Sequence, residues 1–142
     1  MMKKTVFLPA CWCLALLLSS WSALAEVAVV GHPSNNNTPN KAQLIKIFLK
    51  KNKAFDDGSP AVPLYQESGL DVSKEFNSKV LHKSASQLKS YWTKLMFTGN
   101  GSPPKKVKGA GEVIDMVSKD PTLIGYIDAS KVTDQVKVIA KF

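Results

Sequence analysis

The sequence contains no arginine, since all 19 of its cationic side chains are lysine. This absence excludes an arginine finger and the paired guanidinium contacts that recognise carboxylate, phosphate or guanine. The formal net charge is +8, but lysines and acids are interleaved along the chain as they are on a solvated surface. A nucleic-acid-binding protein would need a basic stripe with stacking aromatic side chains, so we expect no nucleic acid partner.

Cysteine and histidine are also scarce, with Cys11, Cys13, His32 and His82 as the only examples. The histidines lie in different segments, and no spacing typical of a metal site is present. The sequence also lacks the Gly-x-Ser-x-Gly of a nucleophile elbow and the glycine-rich phosphate loop of nucleotide-binding proteins. We therefore expect no catalytic residue, no metal and no cofactor, and we predict that the protein is not an enzyme.

The N-terminal segment has the pattern of a secretory signal peptide. Lys3 and Lys4 precede a mostly apolar stretch at 5–18, and Ala23-Leu24-Ala25 fits the small-x-small rule for cleavage after Ala25. A retained membrane anchor is the alternative, because the uncharged run is long enough to span a bilayer. The proline and serines in this run and the cleavage sequence favour removal.

Cleavage would remove both cysteines and two lysines, which leaves residues 26–142 with a formal net charge of +6. An exported chain without cysteine is more typical of the bacterial periplasm than of small secreted domains that depend on disulfides. The length fits one domain. We therefore predict a periplasmic protein with a signal peptide at 1–25 and a single domain at 26–142.

Predicted strands and helices alternate along this domain. Asn40 with Gln43, and Ser84 with Gln87, have the capping-box pattern of a helix start. The predicted strands cover 26–30, 61–65, 123–127 and 135–140, and the predicted helices cover 41–51, a segment after Ser68, a segment after Ser84, and 112–119. This order predicts an α/β fold in which helices flank a small mixed sheet.

The sequence Ser68-Gly69 is the first candidate for an anion site. It ends a predicted strand and begins a helix, where free backbone N–H groups and a hydroxyl favour a bound anion. The alternative is structural, because Ser68 and Asp71 have the spacing of a capping box, which would explain both residues without a ligand.

The asparagine-rich loop at 31–40 is the second candidate. Ser34 and Asn35 offer donors and acceptors after the first predicted strand, at the edge where ligands of α/β proteins usually bind; the alternative is a merely solvated loop. We interpret the basic segment 105–108 as a solvated turn, and Trp92 as a core residue on the apolar stripe of its helix.

Five motifs occur in order along the domain: LIKIFL at 44–49, FDDGSP at 55–60, Ser68-Gly69 followed by Phe76, YWTKLMFTG at 91–99, and PTLIGYI at 121–127. Together they resemble the phosphate-binding periplasmic proteins of ABC transporters, within the type II periplasmic-binding-protein superfamily. The likeness is greater still to short single-domain exported relatives of these substrate-binding proteins. It covers nearly all of residues 26–142.

The resemblance implies a single periplasmic-binding-protein type II lobe. Family members hold phosphate with a Ser-Gly-Thr sequence at a helix N-terminus, and the corresponding residues are Ser68, Gly69 and Leu70, so leucine replaces the threonine. The arginine upstream of this sequence in the family has no counterpart, and Glu67 places a carboxylate beside Ser68. Family members close two lobes on the ligand, whereas residues 26–142 are enough for one.

Two functions fit this resemblance. The first is an exported solute-binding protein for phosphate or another small anion, connected with ABC-type uptake, in which a homodimer could complete the cleft. Its expected ligand-binding residues, for weak binding, are Ser68, Gly69, Leu70, Ser34 and Asn35. The alternative is a non-enzymatic envelope interaction protein that has lost its ligand and docks on a membrane protein or transporter through the basic segment or the asparagine-rich loop.

Overall fold

The computed structural model describes residues 25–142. The predicted signal peptide lies outside the described residues except for Ala25, and its removal stays a prediction. Within residues 25–142, no helix combines the length and the apolar character needed to cross a membrane.

Strands and helices alternate through the described domain as predicted, with boundaries displaced by a few residues. The strand that was not predicted is β3, a short strand in the segment interpreted as a solvated turn. In chain order the elements are β1 (Val27–Gly31), α1 (Lys41–Phe48), β2 (Val62–Gln66), α2 (Asp71–Phe76) with a π-helical turn (Asn77–Leu81), α3 (Ala85–Phe97), β3 (Lys105–Val107), α4 (Ala110–Lys119), β4 (Leu123–Asp128) with a 3-10 turn (Ala129–Lys131), and β5 (Lys137–Lys141).

The strands form one mixed sheet in the order β3-β2-β4-β1-β5. Strand β2 runs parallel to β3 and β4, whereas β1 runs antiparallel to β4 and β5. The mixed sheet with flanking helices confirms the predicted α/β class. Because β1 and β2 point in opposite directions, the loops that follow them lie at opposite ends of the strands.

Helices cover both faces of the sheet, and strand β1 shows the consequence. Val27 and Val29 pack into the core beneath α1, α2 and α3, while Ala28 and Val30 pack into the core beneath α4. A strand buried on both faces has a continuous apolar sequence, which is why this segment shows no polar alternation.

Side-chain caps begin α1 and α3 as predicted. The Asn40 side-chain oxygen accepts a hydrogen bond from the Gln43 N–H at 2.9 Å, and the Ser84 hydroxyl oxygen accepts one from the Gln87 N–H at 3.1 Å. Each glutamine side chain in turn accepts from the backbone N–H of its capping residue. Both capping boxes are confirmed.

The capping box predicted for Ser68 and Asp71 is wrong. Helix α2 begins at Asp71, and its N-cap residue is Leu70, which makes no side-chain cap. The cause is a turn directly after β2, where the Glu67 carbonyl accepts from the Leu70 N–H at 3.2 Å and from the Ser73 hydroxyl at 2.8 Å. This turn delays the start of the helix and leaves Ser68 outside it.

Candidate functional site

A groove of about 690 Å³ lies beside the carboxyl end of β2. Its walls come from the end of β2, the residues that lead through α2 into the π-helical turn, one side of α3, and the loop that connects α3 to β3. Its lining includes Ser68, Asn77, Leu88, Trp92, Met96 and Lys106.

A buried hydrogen-bond network fixes the turn that carries Ser68. The Gln66 backbone N–H donates to the Tyr126 hydroxyl at 3.0 Å, and the Gln66 side chain donates to the Tyr126 carbonyl at 2.7 Å. The Tyr126 hydroxyl donates to the Ser73 hydroxyl at 3.1 Å, which donates to the Glu67 carbonyl. Burial raises the pKa of Tyr126, so the hydroxyl stays protonated and acts as a donor. The turn is therefore held to β4 from beneath.

Ser68 and Gly69 are exposed at the top of this turn, and Ser68 lines the groove. No hydrogen bond formed within residues 25–142 uses the Ser68 hydroxyl or the backbone N–H groups of Ser68 and Gly69. The Leu70 N–H is already paired with the Glu67 carbonyl. Of the three residues matched to the family's phosphate sequence, Ser68 and Gly69 thus keep free donors, whereas Leu70 does not.

The charged side chains that line the groove are cations. Lys106 lies on β3 opposite Tyr65 of β2, and Lys89 lies on α3; both line the groove. Glu67 is exposed, but it does not line the groove in the described part of the chain. Within residues 25–142 there is also no group of three or more His, Cys, Asp or Glu side chains able to hold a metal.

In strand β3, successive side chains of the basic segment 105–108 point to opposite faces of the sheet. Val107 packs into the core beneath α4, so its neighbour Lys106 faces the opposite side of the sheet and the groove. The interpretation of this segment as a solvated turn is therefore wrong. Three strand residues are too few to produce a recognisable alternation in the sequence.

Two of the buried side chains that line the groove carry a polar group without a partner in the described residues, and neither was a predicted site residue. Asn77 is 6 % exposed, and its side-chain amide makes no hydrogen bond within residues 25–142. Trp92 is also 6 % exposed, as expected for a core residue, and its indole Nε1 has no partner within the same residues. Trp92 therefore belongs both to the core and to the wall of the groove.

The asparagine-rich loop does not contribute to this groove. Gly31 at the end of β1 is level with Ile124, and Ile124 is level with Pro63 near the start of β2. The loop that carries Ser34 and Asn35 therefore leaves the sheet at the edge opposite Ser68. The expectation that this loop helps to bind the same anion is corrected by the antiparallel direction of β1.

Asn35 instead organises its own loop. It is buried, and its side-chain oxygen accepts hydrogen bonds from the backbone N–H and the side chain of Asn37, both at 2.9 Å. Its Nδ2 is buried without a partner within residues 25–142. The neighbouring Ser34 is exposed, and its hydroxyl lies 2.7 Å from the His32 ring. These contacts shape the loop and bring neither residue near the groove.

The fold is similar to that of solved structures of phosphate-transport proteins. A phosphate ABC transporter substrate-binding protein from Clostridium perfringens, solved with bound phosphate, matches with a TM-score of 0.62 and 23% identity over 81% of this chain. An ABC-type phosphate transport receptor from Vibrio cholerae matches with a TM-score of 0.55 and 15% identity over 81% of it. PstS from Borrelia burgdorferi matches with a TM-score of 0.52 and 17% identity over 74% of it.

The resemblance predicted from the five motifs is confirmed at the level of the fold, which is that of one lobe of such a binding protein. The chain spans 45%, 46% and 42% of the lengths of these three proteins, less than half of each. No family model and no curated protein matches the sequence. At identities of 15–23%, this likeness shows the fold alone.

Proposed function

We propose that the protein is an exported, non-enzymatic, periplasmic solute-binding protein that holds phosphate or a similar small anion at the turn formed by residues 67–70. The observation that carries this proposal is the set of free donors at Ser68 and Gly69 on the rim of a groove whose charged residues, Lys89 and Lys106, are cations. Backbone N–H groups that point out of a turn favour an anion.

Fewer of the expected residues contribute to the proposed anion site than the sequence predicted. Leu70 is the N-cap residue of α2, but its N–H already donates to the Glu67 carbonyl and is not available to an anion. Ser34 and Asn35 lie in a loop at the opposite end of the strands, so they are not part of the proposed site. Lys106 joins Ser68 and Gly69, and an ammonium group supplies the positive charge that the missing arginine would have given.

A single lobe leaves an anion partly in water, so we expect weak binding from one copy of the chain. The fold likeness to phosphate-transport proteins supports a role in ABC-type uptake, and the signal-peptide pattern supports the periplasm as its location. A homodimer that completes the cleft stays a prediction.

Calorimetric titration of the purified protein with phosphate at low salt tests the proposal, with sulfate as the reference anion. We expect Ser68→Ala to weaken phosphate binding about tenfold, because a hydrogen bond to a charged group contributes about 1.5–3 kcal/mol and 1.4 kcal/mol is about tenfold in affinity. Ser78→Ala is the matched control, since Ser78 is exposed and does not line the groove.

The absence of binding at millimolar phosphate, or equal affinity of Ser68→Ala and the unsubstituted protein, would refute the proposed site. The alternative would then be docking on an envelope protein. The surface for such docking would include Phe97 and Met96 at the end of α3, which are 88% and 51% exposed. It would also include the lysines of the basic segment 105–108. Cross-linking to an envelope partner would then be the next measurement.

A further inference from the structure

The groove is larger and more apolar than inorganic phosphate requires. Its volume of about 690 Å³ falls within the range of about 300–1,000 Å³ typical of sites for organic ligands. Beyond Ser68 it extends along α3 and the loop that follows, where Lys89 and Thr93 also line it and the apolar lining residues are Leu88, Trp92, Met96, Pro103 and Pro104. Phosphate bound at the turn would leave this part of the groove unfilled.

The groove also contains a polar side chain without a partner in the described part of the chain. Asn77 is 6% exposed, and its side-chain amide makes no hydrogen bond within residues 25–142. A ligand that carries a hydrogen-bonding group can pair with this amide in the place of water.

The charges favour an anionic group at one end of such a ligand. Lys106 lines the groove on the same side of the sheet as Tyr65, and Lys89 lines it from α3. The described lining includes no acidic side chain. The free donors of Ser68 and Gly69 lie at the turn, whereas Met96 and Pro103 lie on the apolar wall. The groove thus combines free donors and cations with an apolar wall.

We propose that the ligand is an organic phosphate, with its phosphoryl group at Ser68, Gly69 and Lys106 and an aromatic or other apolar group along Trp92 and Met96. The position of the phosphoryl group rests on the proposed function. The apolar contact rests on the shape and lining of the groove. Burial of the apolar group adds a favourable contribution that inorganic phosphate cannot make.

Calorimetry with two probes separates these parts. We expect phenyl phosphate to bind at least about tenfold more tightly than inorganic phosphate, with the fold-change measured in one buffer at one salt concentration. Inorganic phosphate that binds as tightly as phenyl phosphate would overturn the organic-phosphate inference while leaving the proposed function intact. If neither probe binds, both are overturned.

Surface variants locate the apolar group. Met96→Gln should weaken phenyl phosphate binding and leave inorganic phosphate binding unchanged, whereas Lys106→Gln should weaken both. Phe97→Gln and Lys105→Gln are the matched controls, because each neighbours a lining residue and does not line the groove. A Met96→Gln variant that changes neither affinity, or both equally, would overturn the assignment of the apolar group to this wall.

Discussion

Tyr126 is the residue on which the geometry of the candidate site depends most directly. Its hydroxyl accepts from the Gln66 N–H and donates to Ser73, and Ser73 in turn holds the Glu67 carbonyl. The ring stacks on Phe76 with a centroid separation of 4.0 Å. One side chain on β4 therefore fixes both the end of β2 and the first helical turn after it, and so places Ser68 at the groove.

We expect Tyr126→Phe to lower the free energy of unfolding by about 1–3 kcal/mol, because it leaves the buried Gln66 N–H without an acceptor. It should also weaken phosphate binding, since the turn at residues 67–70 loses its support. Chemical denaturation and calorimetry on the same samples measure the two effects. Tyr91→Phe is the control: its hydroxyl donates to the Leu49 carbonyl, far along the chain from the turn.

The Tyr91→Phe variant should lose some stability while keeping the phosphate affinity of the unsubstituted protein. A Tyr126→Phe variant with unchanged stability would contradict the role assigned to the network. Combining it with Ser73→Ala should cost less than the sum of the single changes, because both remove parts of one network.

At the scale of the element, local signals predicted the helix starts at Asn40 and Ser84 because each capping box is built from residues close in sequence. The same signal failed at Ser68. There the Glu67 carbonyl is held by Ser73, and Ser73 is held by a tyrosine from a distant strand, so tertiary contacts decide where the helix begins. A local pattern cannot report contacts that join β2 to β4.

The cap of α3 offers a test of these local signals. Ser84→Ala should destabilise the protein by about 1 kcal/mol, because the Gln87 N–H loses its acceptor at the start of the helix. Ser90→Ala is the matched control, since Ser90 is an exposed residue inside the same helix, where alanine is the better helix former. We expect Ser90→Ala to be neutral or slightly stabilising in thermal or denaturant unfolding.

Equal destabilisation by Ser84→Ala and Ser90→Ala would show that the cap contributes nothing specific. A second cap variant, Asn40→Ala in α1, should behave like Ser84→Ala because it removes the equivalent side-chain acceptor. Since α3 forms one wall of the groove, loss of its cap is also expected to weaken ligand binding slightly.

At the scale of the whole molecule, the α/β class and the lobe resemblance followed from the sequence, but strand direction did not. An apolar run such as 27–30 reveals burial on both faces and nothing about whether its neighbours are parallel. For that reason Ser34 and Asn35 were expected at the site and lie at the opposite edge. Asn77 was missed because a polar residue in a helical pattern is normally read as exposed.

We expect three aspartates, Asp57, Asp120 and Asp128, to make the stability of the whole molecule depend on pH. Each accepts hydrogen bonds from the hydroxyl and the N–H of a serine or threonine two residues later, and these bonds lower the pKa of each carboxyl from 3.8. A carboxyl whose pKa is lower in the folded state contributes stability above its unfolded value. That contribution is lost as the pH falls through the folded pKa.

We expect the melting temperature to be nearly constant at mildly acidic to neutral pH and to fall below about pH 4. Protonation of the acids also raises the net positive charge, and the resulting self-repulsion acts in the same direction.

Asp128→Asn should lower the melting temperature at neutral pH and reduce its fall in acid, because its bonds to the Ser130 hydroxyl and N–H are weakened at every pH. Asp134→Asn is the control, since this exposed carboxylate accepts no hydrogen bond within residues 25–142. If Asp128→Asn has the same acid profile as Asp134→Asn and the unsubstituted protein, the Asp128 carboxylate does not contribute to the acid stability of the fold.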